Sequence, residues 1–189
     1  MKLYEFEGKQ LLKAVGVPVP ESAVVERAEE IGQMGLGGET VCVKAQVLSG
    51  KRGKAGLVTL CYAPGDLKSA VEKILGKEHN GEKIQKVLLE RGLNIKEEHY
   101  ACVTYDTLTR SPVLIFSAQG GVDIEEYKTA HPDKVVVQPI DLNFGLQPWL
   151  ARQVIQKAGI SGIKMMKLAE VMARMWNCTW VISPTTWRT

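Results

Sequence analysis

Val43-Lys44-Ala45-Gln46-Val47-Leu48-Ser49-Gly50-Lys51-Arg52-Gly53-Lys54-Ala55-Gly56 runs from an alternating, β-branched segment into a loop of three glycines and three cations. Val41 to Val47 reads as a strand, and a second strand is expected from Leu57 to Tyr62, so the pair forms a hairpin with a basic tip. No acidic residue stands between Glu39 and Asp66. Glycines let a backbone approach an anion closely and turn several N–H groups into one concavity, where nearby cations stabilise multiple negative charges. That is the chemistry of a phosphate clamp. Composition alone leaves a solvated basic hairpin tip equally open. Lys44 weighs against it, because an ammonium inside an apolar strand is costly unless it meets an anion. Gly56 is followed by a strand rather than a helix, which excludes a Walker A loop, and the glycine spacing is not a Rossmann fingerprint.

Working outward, Tyr4, Leu11, Leu12 and Val15 share a helical face that stops at Gly16 and Pro18-Val19-Pro20. Ser22 to Val25 suggests a strand, and Arg27 to Met34 a short helix ended by glycines. Asp66 is an expected N-cap and Gly76 a C-cap for a helix carrying Leu67, Ala70, Val71, Ile74 and Leu75. Ile84 to Glu90 completes a small unit of alternating strands and helices. Tyr100 to Tyr105 and Pro112 to Ser117 are expected to pair antiparallel across a polar turn. Trp149 to Ala158 and Lys164 to Trp176 read as amphipathic helices, the second with a core stripe of Met165, Leu168, Ala169, Met172, Met175 and Trp176.

The 189 residues, 45% hydrophobic and 24% charged, suit one ordinary domain or two small ones and exclude a disordered chain. No apolar run approaches the length of a membrane span, and the charged opening Met1-Lys2-Leu3-Tyr4-Glu5 does not read as a secretory signal. A cytoplasmic or mitochondrial-matrix location is expected. Cys42, Cys61, Cys102 and Cys178 show no metal-binding spacing and read as small buried hydrophobes. A net charge of +3 is too mild to imply nucleic acid, and no aromatic residue interleaves the cations of the hairpin, as a single-strand binder would need. Neither nucleic acid nor membrane is an expected partner.

The hairpin sequence resembles the V-K-A-Q-V-x-x-G-x-R-G-K-A-G signature of the β subunits of ADP- or GDP-forming succinate-CoA ligase and related acid-CoA ligases. Leu3-Tyr4-Glu5-Phe6-Glu7-Gly8-Lys9-Gln10-Leu11-Leu12 resembles the start of that family. Ser117-Ala118-Gln119-Gly120-Gly121-Val122-Asp123-Ile124-Glu125-Glu126 resembles its S-x-[EQ]-G-G-V-[DE]-I-E-E loop. The resemblance spans residues 1 to about 176. It implies an α+β ATP-grasp fold of two α/β lobes. Residues 1–21 with 93–189 would form the incomplete C-lobe, and 22–92 an inserted nucleotide-binding N-lobe.

The resemblance further implies that Lys44 contacts nucleotide phosphate and that Lys51, Arg52 and Gly53 close over it. Glu90 and Leu93 would stand at the hinge that receives adenine and ribose, and Glu98 at an acidic ribose contact. Pro20 falls where ATP-preferring members carry Pro and GTP-preferring ones Gln. The Gly120-Gly121 loop is either a turn before a helix or a loop near the γ-phosphate or subunit interface. His79, His99 and His131 are expected at the surface, since the family's phosphohistidine lies on a partner α subunit. The implied activity is that of the tricarboxylic acid cycle ligase, joining an acid such as succinate to CoA at the expense of ATP or GTP with Mg²⁺. The alternative is a catalytically inactive ATP-grasp remnant serving as a binding or subunit-interaction module. The family's metal-binding strand, E-I-N-P, would follow Trp176. Here Val181-Ile182-Ser183-Pro184 takes its place and no acidic residue follows Glu170, so no metal ligands, and no catalytic residues, are expected in a chain truncated before that strand.

Overall fold

The computed structural model describes residues 2–33, 40–50, 52–53 and 55–182. By their contacts Met1–Lys13 and Pro18–Asn94 form one compact unit, and Ala14–Val17 and Ile95–Thr189 a second. The contacts therefore divide the chain at 13, 17 and 94, where the resemblance draws the lobes at 21 and 92, and they group nearly all of the first helix with the first unit.

In the first unit, four strands form one antiparallel sheet. They are β1 (Ser22–Val25), β2 (Val41–Gln46), β3 (Val58–Cys61) and β6 (Lys86–Arg91), in the order β1-β6-β2-β3. β2 and β3 make the expected hairpin, with Val41 opposite Cys61 and Lys44 opposite Val58. Alternation sorts the side chains of β2: Val41, Val43 and Ala45 are buried, while Cys42 and Lys44 lie half-buried on the other face. The core joins these to Val25, Val87 and Leu89, and to Leu67, Val71 and Ile74 of helix α2 (Pro64–Ile74). Helix α1 (Glu5–Ala14) buries no residue fully. The Phe6 N–H donates to Gln46 Oε1 at 3.2 Å, which ties the start of α1 to the non-core face of β2. The short helix expected from Arg27 to Met34 is a 3-10 helix over Ala28–Gln33, and Met34 lies outside the described residues.

Two local expectations change. Ala63, not Asp66, is the N-cap of α2, and its side chain makes no capping bond. Pro64 begins the helix, where its missing N–H costs nothing and its φ is already helical. Asp66 lies in the first turn and favours the helix through its charge. Leu75, not Gly76, is the C-cap, and Gly76, with φ of +78°, is the residue just past it. β4 (Glu78–His79) and β5 (Glu82–Lys83) make a tight hairpin across Asn80-Gly81, both of positive φ; this Asn-Gly turn signal is absent from the sequence expectations.

The second unit carries a sheet of β7 (Tyr100–Asp106), β8 (Ser111–Ser117) and β9 (Val135–Pro139), all antiparallel in that order. β9, with three consecutive valines, is likewise absent from the expectations. Helices α4 (Pro148–Lys157) and α5 (Gly162–Ile182) supply Ala151, Val154, Ile155, Ala169, Met172 and Trp176 to a core with Leu114 and Phe116 of β8. The core stripe expected on α5 is therefore present in Ala169, Met172 and Trp176. Gly145 has φ of +68°, and a Cβ there would stand 2.5 Å from the Trp176 indole nitrogen, so both its backbone and its neighbour require glycine. Helix α3 (Ile124–Ala130) is capped by Asp123, whose side chain accepts from the backbone N–H groups of Glu125 and Glu126.

α5 also corrects an expectation. It runs six residues past Trp176, through Val181 and Ile182, where the family pattern has a loop and a metal-binding strand. A backbone in helix cannot present alternate residues to one face as a strand does. Ser183-Pro184, the rest of that echo, and Trp187 lie outside the described residues. Among the described residues no helix is long and apolar enough to cross a membrane.

Candidate functional site

The register of the first sheet sets Cys42 opposite Glu90 and Lys44 opposite Leu88, so Lys44 and Glu90 share the non-core face one diagonal step apart. α1 adds Glu5 and Lys9 one turn apart on the same helical side, and the hairpin loop adds Arg52. Five charged side chains meet there. Lys44 Nζ donates to Glu90 at 2.6 Å and to Glu5 at 3.1 Å. Lys9 Nζ donates to Glu5 at 2.7 Å and also to Glu90. Arg52 Nη2 lies 2.7 Å from Glu5 Oε2, and its Nη1 donates to the Ala45 carbonyl at 2.8 Å.

The cluster is largely shielded from water, with the Glu90 side chain 8% exposed and those of Lys9, Lys44 and Glu5 under 20%. Burial alone would raise the Glu5 carboxyl. The hydrogen bond from Lys9 and the charges of Lys44, Lys9 and Arg52 outweigh it and hold the group at about 2. Burial pulls Lys9 below its ordinary value, against the opposing pull of Glu5. Burial likewise pushes the Cys42 thiol up, although Lys44 nearby works the other way. Such a thiol stays protonated and is a poor nucleophile.

The Arg52 carbonyl accepts from the Leu57 N–H and the Gly53 carbonyl from the Gly56 N–H, which closes the loop onto β3. A Cβ at Gly50 or Gly53 would meet nothing within 4 Å, and neither has a positive φ. Packing and backbone conformation leave those glycines unexplained, and space for an approaching ligand is what they offer. Lys51 and Lys54 lie outside the described residues.

Pro20 lines a cleft of about 1010 Å³ within the first unit, shared with Phe6, Lys9, Val24 and Leu88. Lys9 thus belongs to both the cleft and the charged cluster. Leu93, just beyond β6, is 62% exposed. Gly92 before it is held tightly: its N–H donates to the Thr40 carbonyl at 2.7 Å, and a Cβ would fall 2.8 Å from that oxygen.

Lys44, Arg52 and Glu90 are therefore brought together, Pro20 and Leu93 stand elsewhere on the same unit, and Glu98 belongs to the second unit. There the Glu98 carbonyl accepts from the Gly120 N–H at 2.9 Å. A Cβ on Gly120 would come within 2.9 Å of the Glu98 and His99 backbone, and Gly121 has φ of +69° with Glu98 Oε2 beside it. Close backbone approach accounts for the Gly-Gly pair. His99 is half-buried: its ring is 18% exposed and bonds the Ala118 carbonyl through Nδ1 at 2.9 Å. Glu5 and Lys9 are the members of the cluster that the sequence reading did not single out. Their i,i+4 spacing was visible, but their target on β2 and β6 was not. Among the described residues no three His, Cys, Asp or Glu side chains gather as metal ligands.

A model of the ATP-grasp domain matches residues 2–183. The succinate–CoA ligase [ADP-forming] subunit beta of Methanocaldococcus jannaschii is 36% identical over 177 residues, covering 94% of this chain and 48% of the relative. The subunit of the same name from Rubrobacter xylanophilus is 38% identical over 164 residues, covering 86% and 43%. Among solved structures, ATP citrate lyase of Methanothrix soehngenii, in complex with citrate and coenzyme A, aligns with a TM-score of 0.73. That structure is 22% identical and covers 94% of this chain and 43% of the other. The chain spans about half the length of the curated relatives it matches.

Proposed function

Because the chain belongs to the ATP-grasp domain family, we propose that it is the nucleotide-binding part of an acid-CoA ligase β subunit, with Lys44 and Arg52 as phosphate ligands. The observation that carries this reading is the cluster itself. Three cations converge on one sheet face beside a glycine loop with open space, and a polyphosphate is the ligand whose charge such a set can neutralise. The Pro20 cleft, lined in part by Lys9, has the volume of a small-molecule pocket and supplies a place for the base; Glu90, near the end of β6, and Leu93 just after it are the proposed hinge residues. ATP is the nucleotide we assign, on Pro20 and on the ADP-forming names of the relatives. The loop cation Lys51 completes the proposed phosphate contacts.

In the whole ligase, the nucleotide would phosphorylate a histidine of an α subunit. The phosphoryl group would pass to a carboxylic acid such as succinate, and CoA would displace phosphate to give the thioester. Phosphoryl transfer depends on positioning and charge neutralisation, and those are the tasks this chain's cations can perform. Mg²⁺, where bound, would neutralise phosphate charge. Free cysteines at all four positions suit a reducing compartment such as the cytoplasm or mitochondrial matrix.

Calorimetric titration of ATP into wild type and Lys44→Ala tests the assignment. The variant should bind about tenfold more weakly, as expected for loss of a charge-assisted phosphate contact. Equal affinity would remove Lys44 from the site.

A further inference from the structure

We propose that Glu5 is a built-in anion that occupies the phosphate cradle and sets its affinity, so that a polyphosphate reaches Lys44 and Arg52 only by displacing the Glu5 carboxylate. This rests on the reading of Lys44 and Arg52 as phosphate ligands, and adds what those cations hold before phosphate arrives.

One carboxylate engages all three cations of the cluster. Glu5 Oε1 receives Lys9 and Lys44 at 2.7 and 3.1 Å, while Oε2 sits 2.7 Å from Arg52 Nη2. Its two oxygens thus fill the positions that two phosphate oxygens would take between the same donors. Glu90 differs. It pairs with Lys9 and Lys44, and it projects from the central strand β6 with only 8% of its side chain exposed. Glu90 is the fixed floor of the cradle.

Glu5 is the replaceable member for two reasons. Buried Glu5 Oε2 accepts no aligned hydrogen bond, despite its proximity to Arg52, so part of its desolvation cost goes uncompensated. Its backbone is the first residue of a helix with no fully buried side chain, where a rotamer change disturbs no core packing. Charge gives the direction. Lys9, Lys44 and Arg52 against Glu5 and Glu90 make three positive and two negative groups, a surplus of one; with Glu5 turned out the surplus is two. The carboxyl is held at about 2, so it is ionised throughout the neutral range and competes as an anion at all working pH.

The test measures binding of inorganic triphosphate, a base-free probe of the cradle, and of ATP. Each is titrated calorimetrically near neutral pH into wild type, Glu5→Gln, Glu5→Asp and Lys44→Ala. Glutamine keeps the shape and loses the charge, and should bind triphosphate about fivefold tighter, the scale of one partly shielded ion pair. Aspartate cannot span Lys9 and Arg52 together, and should fall between wild type and Glu5→Gln. Lys44→Ala should bind more weakly than wild type. If Lys44→Ala weakens binding while Glu5→Gln leaves it unchanged or weaker, the cradle stands and the internal anion is refuted. If Lys44→Ala has no effect, the phosphate reading itself fails and carries this proposal with it. Binding by Glu5→Gln but not wild type supports the proposal, and binding by neither overturns both readings. Should far-UV circular dichroism show Glu5→Gln unfolded, Glu5→Asp decides alone, and wild-type affinity in that variant refutes the proposal.

Discussion

Replacing Glu90 by Gln removes the charge on which the floor of the cluster depends, and its cost can be worked from the geometry. Lys44 Nζ lies 2.6 Å from one carboxylate oxygen, and Lys9 bonds the other. At an effective dielectric of about 20, one such pair is worth about 6 kcal/mol of Coulomb attraction. Desolvation of three buried charges offsets most of that, and removal of one partner from a buried pair typically costs about 3–5 kcal/mol. Here Lys9 and Lys44 keep Glu5 as a partner and are 18% and 19% exposed, so water recovers part of the loss. About 2 kcal/mol is the expected destabilisation. Glutamine is isosteric, so no cavity contributes. Urea unfolding followed by far-UV circular dichroism should show the midpoint falling by about 1 M, for a slope of about 2 kcal/mol/M. Glu90→Gln with a midpoint indistinguishable from wild type would refute the reasoning, because it would mean that Lys9 and Lys44 are solvated well enough not to need the carboxylate.

Glu5 predicts a pH dependence with a definite sign. Its folded value of about 2 lies below the ordinary carboxylate range, so its stabilisation is complete above about pH 5 and is lost as pH falls toward 2. In urea melts the Glu5→Gln variant should show a shallower acid loss than wild type, and parallel curves would contradict the ion-pair account. The glycines separate by cause. Gly120→Ala should cost about 2 kcal/mol or more, because its Cβ would meet the Glu98 and His99 backbone, while Gly53→Ala should stay within about 0.5 kcal/mol. Thermal melting of the two variants reads the difference, and equal losses would show that the Gly120 loop simply moves aside.

The period-two alternation of β2 and the glycine-rich turn made the hairpin legible, because burial on one face of a strand leaves a local signature. β8 is legible instead as a short apolar run, buried on both faces, and the core stripe of α5 through its helical period. β9 has consecutive valines rather than an apolar–polar alternation to mark it, and the residues after Trp176 are apolar enough to prolong the helix. In the structure Cys178, Val181 and Ile182 continue α5. Asp66 is an ambiguous cap signal because Asp at a helix start satisfies two roles, N-cap and first-turn charge, and only the backbone of Ala63, with φ of −123° and ψ of 141°, distinguishes them.

The charged cluster shows where sequence reasoning reaches its physical limit. An ammonium in an apolar strand must find an anion, and Lys44 does find one. The anions are Glu5 and Glu90, 39 and 46 residues away in the chain, brought to it by the β2–β6 register and the placement of α1. A buried lysine beside a glycine loop is therefore ambiguous by itself, since intramolecular carboxylates satisfy the same electrostatic demand that a phosphate would. What separates a binding cradle from a structural ion-pair network is surplus charge together with a replaceable partner. The cluster has one more cation than carboxylate, and Glu5 carries a buried oxygen without an aligned donor. Structural networks tend toward neutrality and full satisfaction of their polar atoms. The residual charge and the imperfectly held carboxylate are thus the two features that make an exchange of Glu5 for phosphate physically favourable.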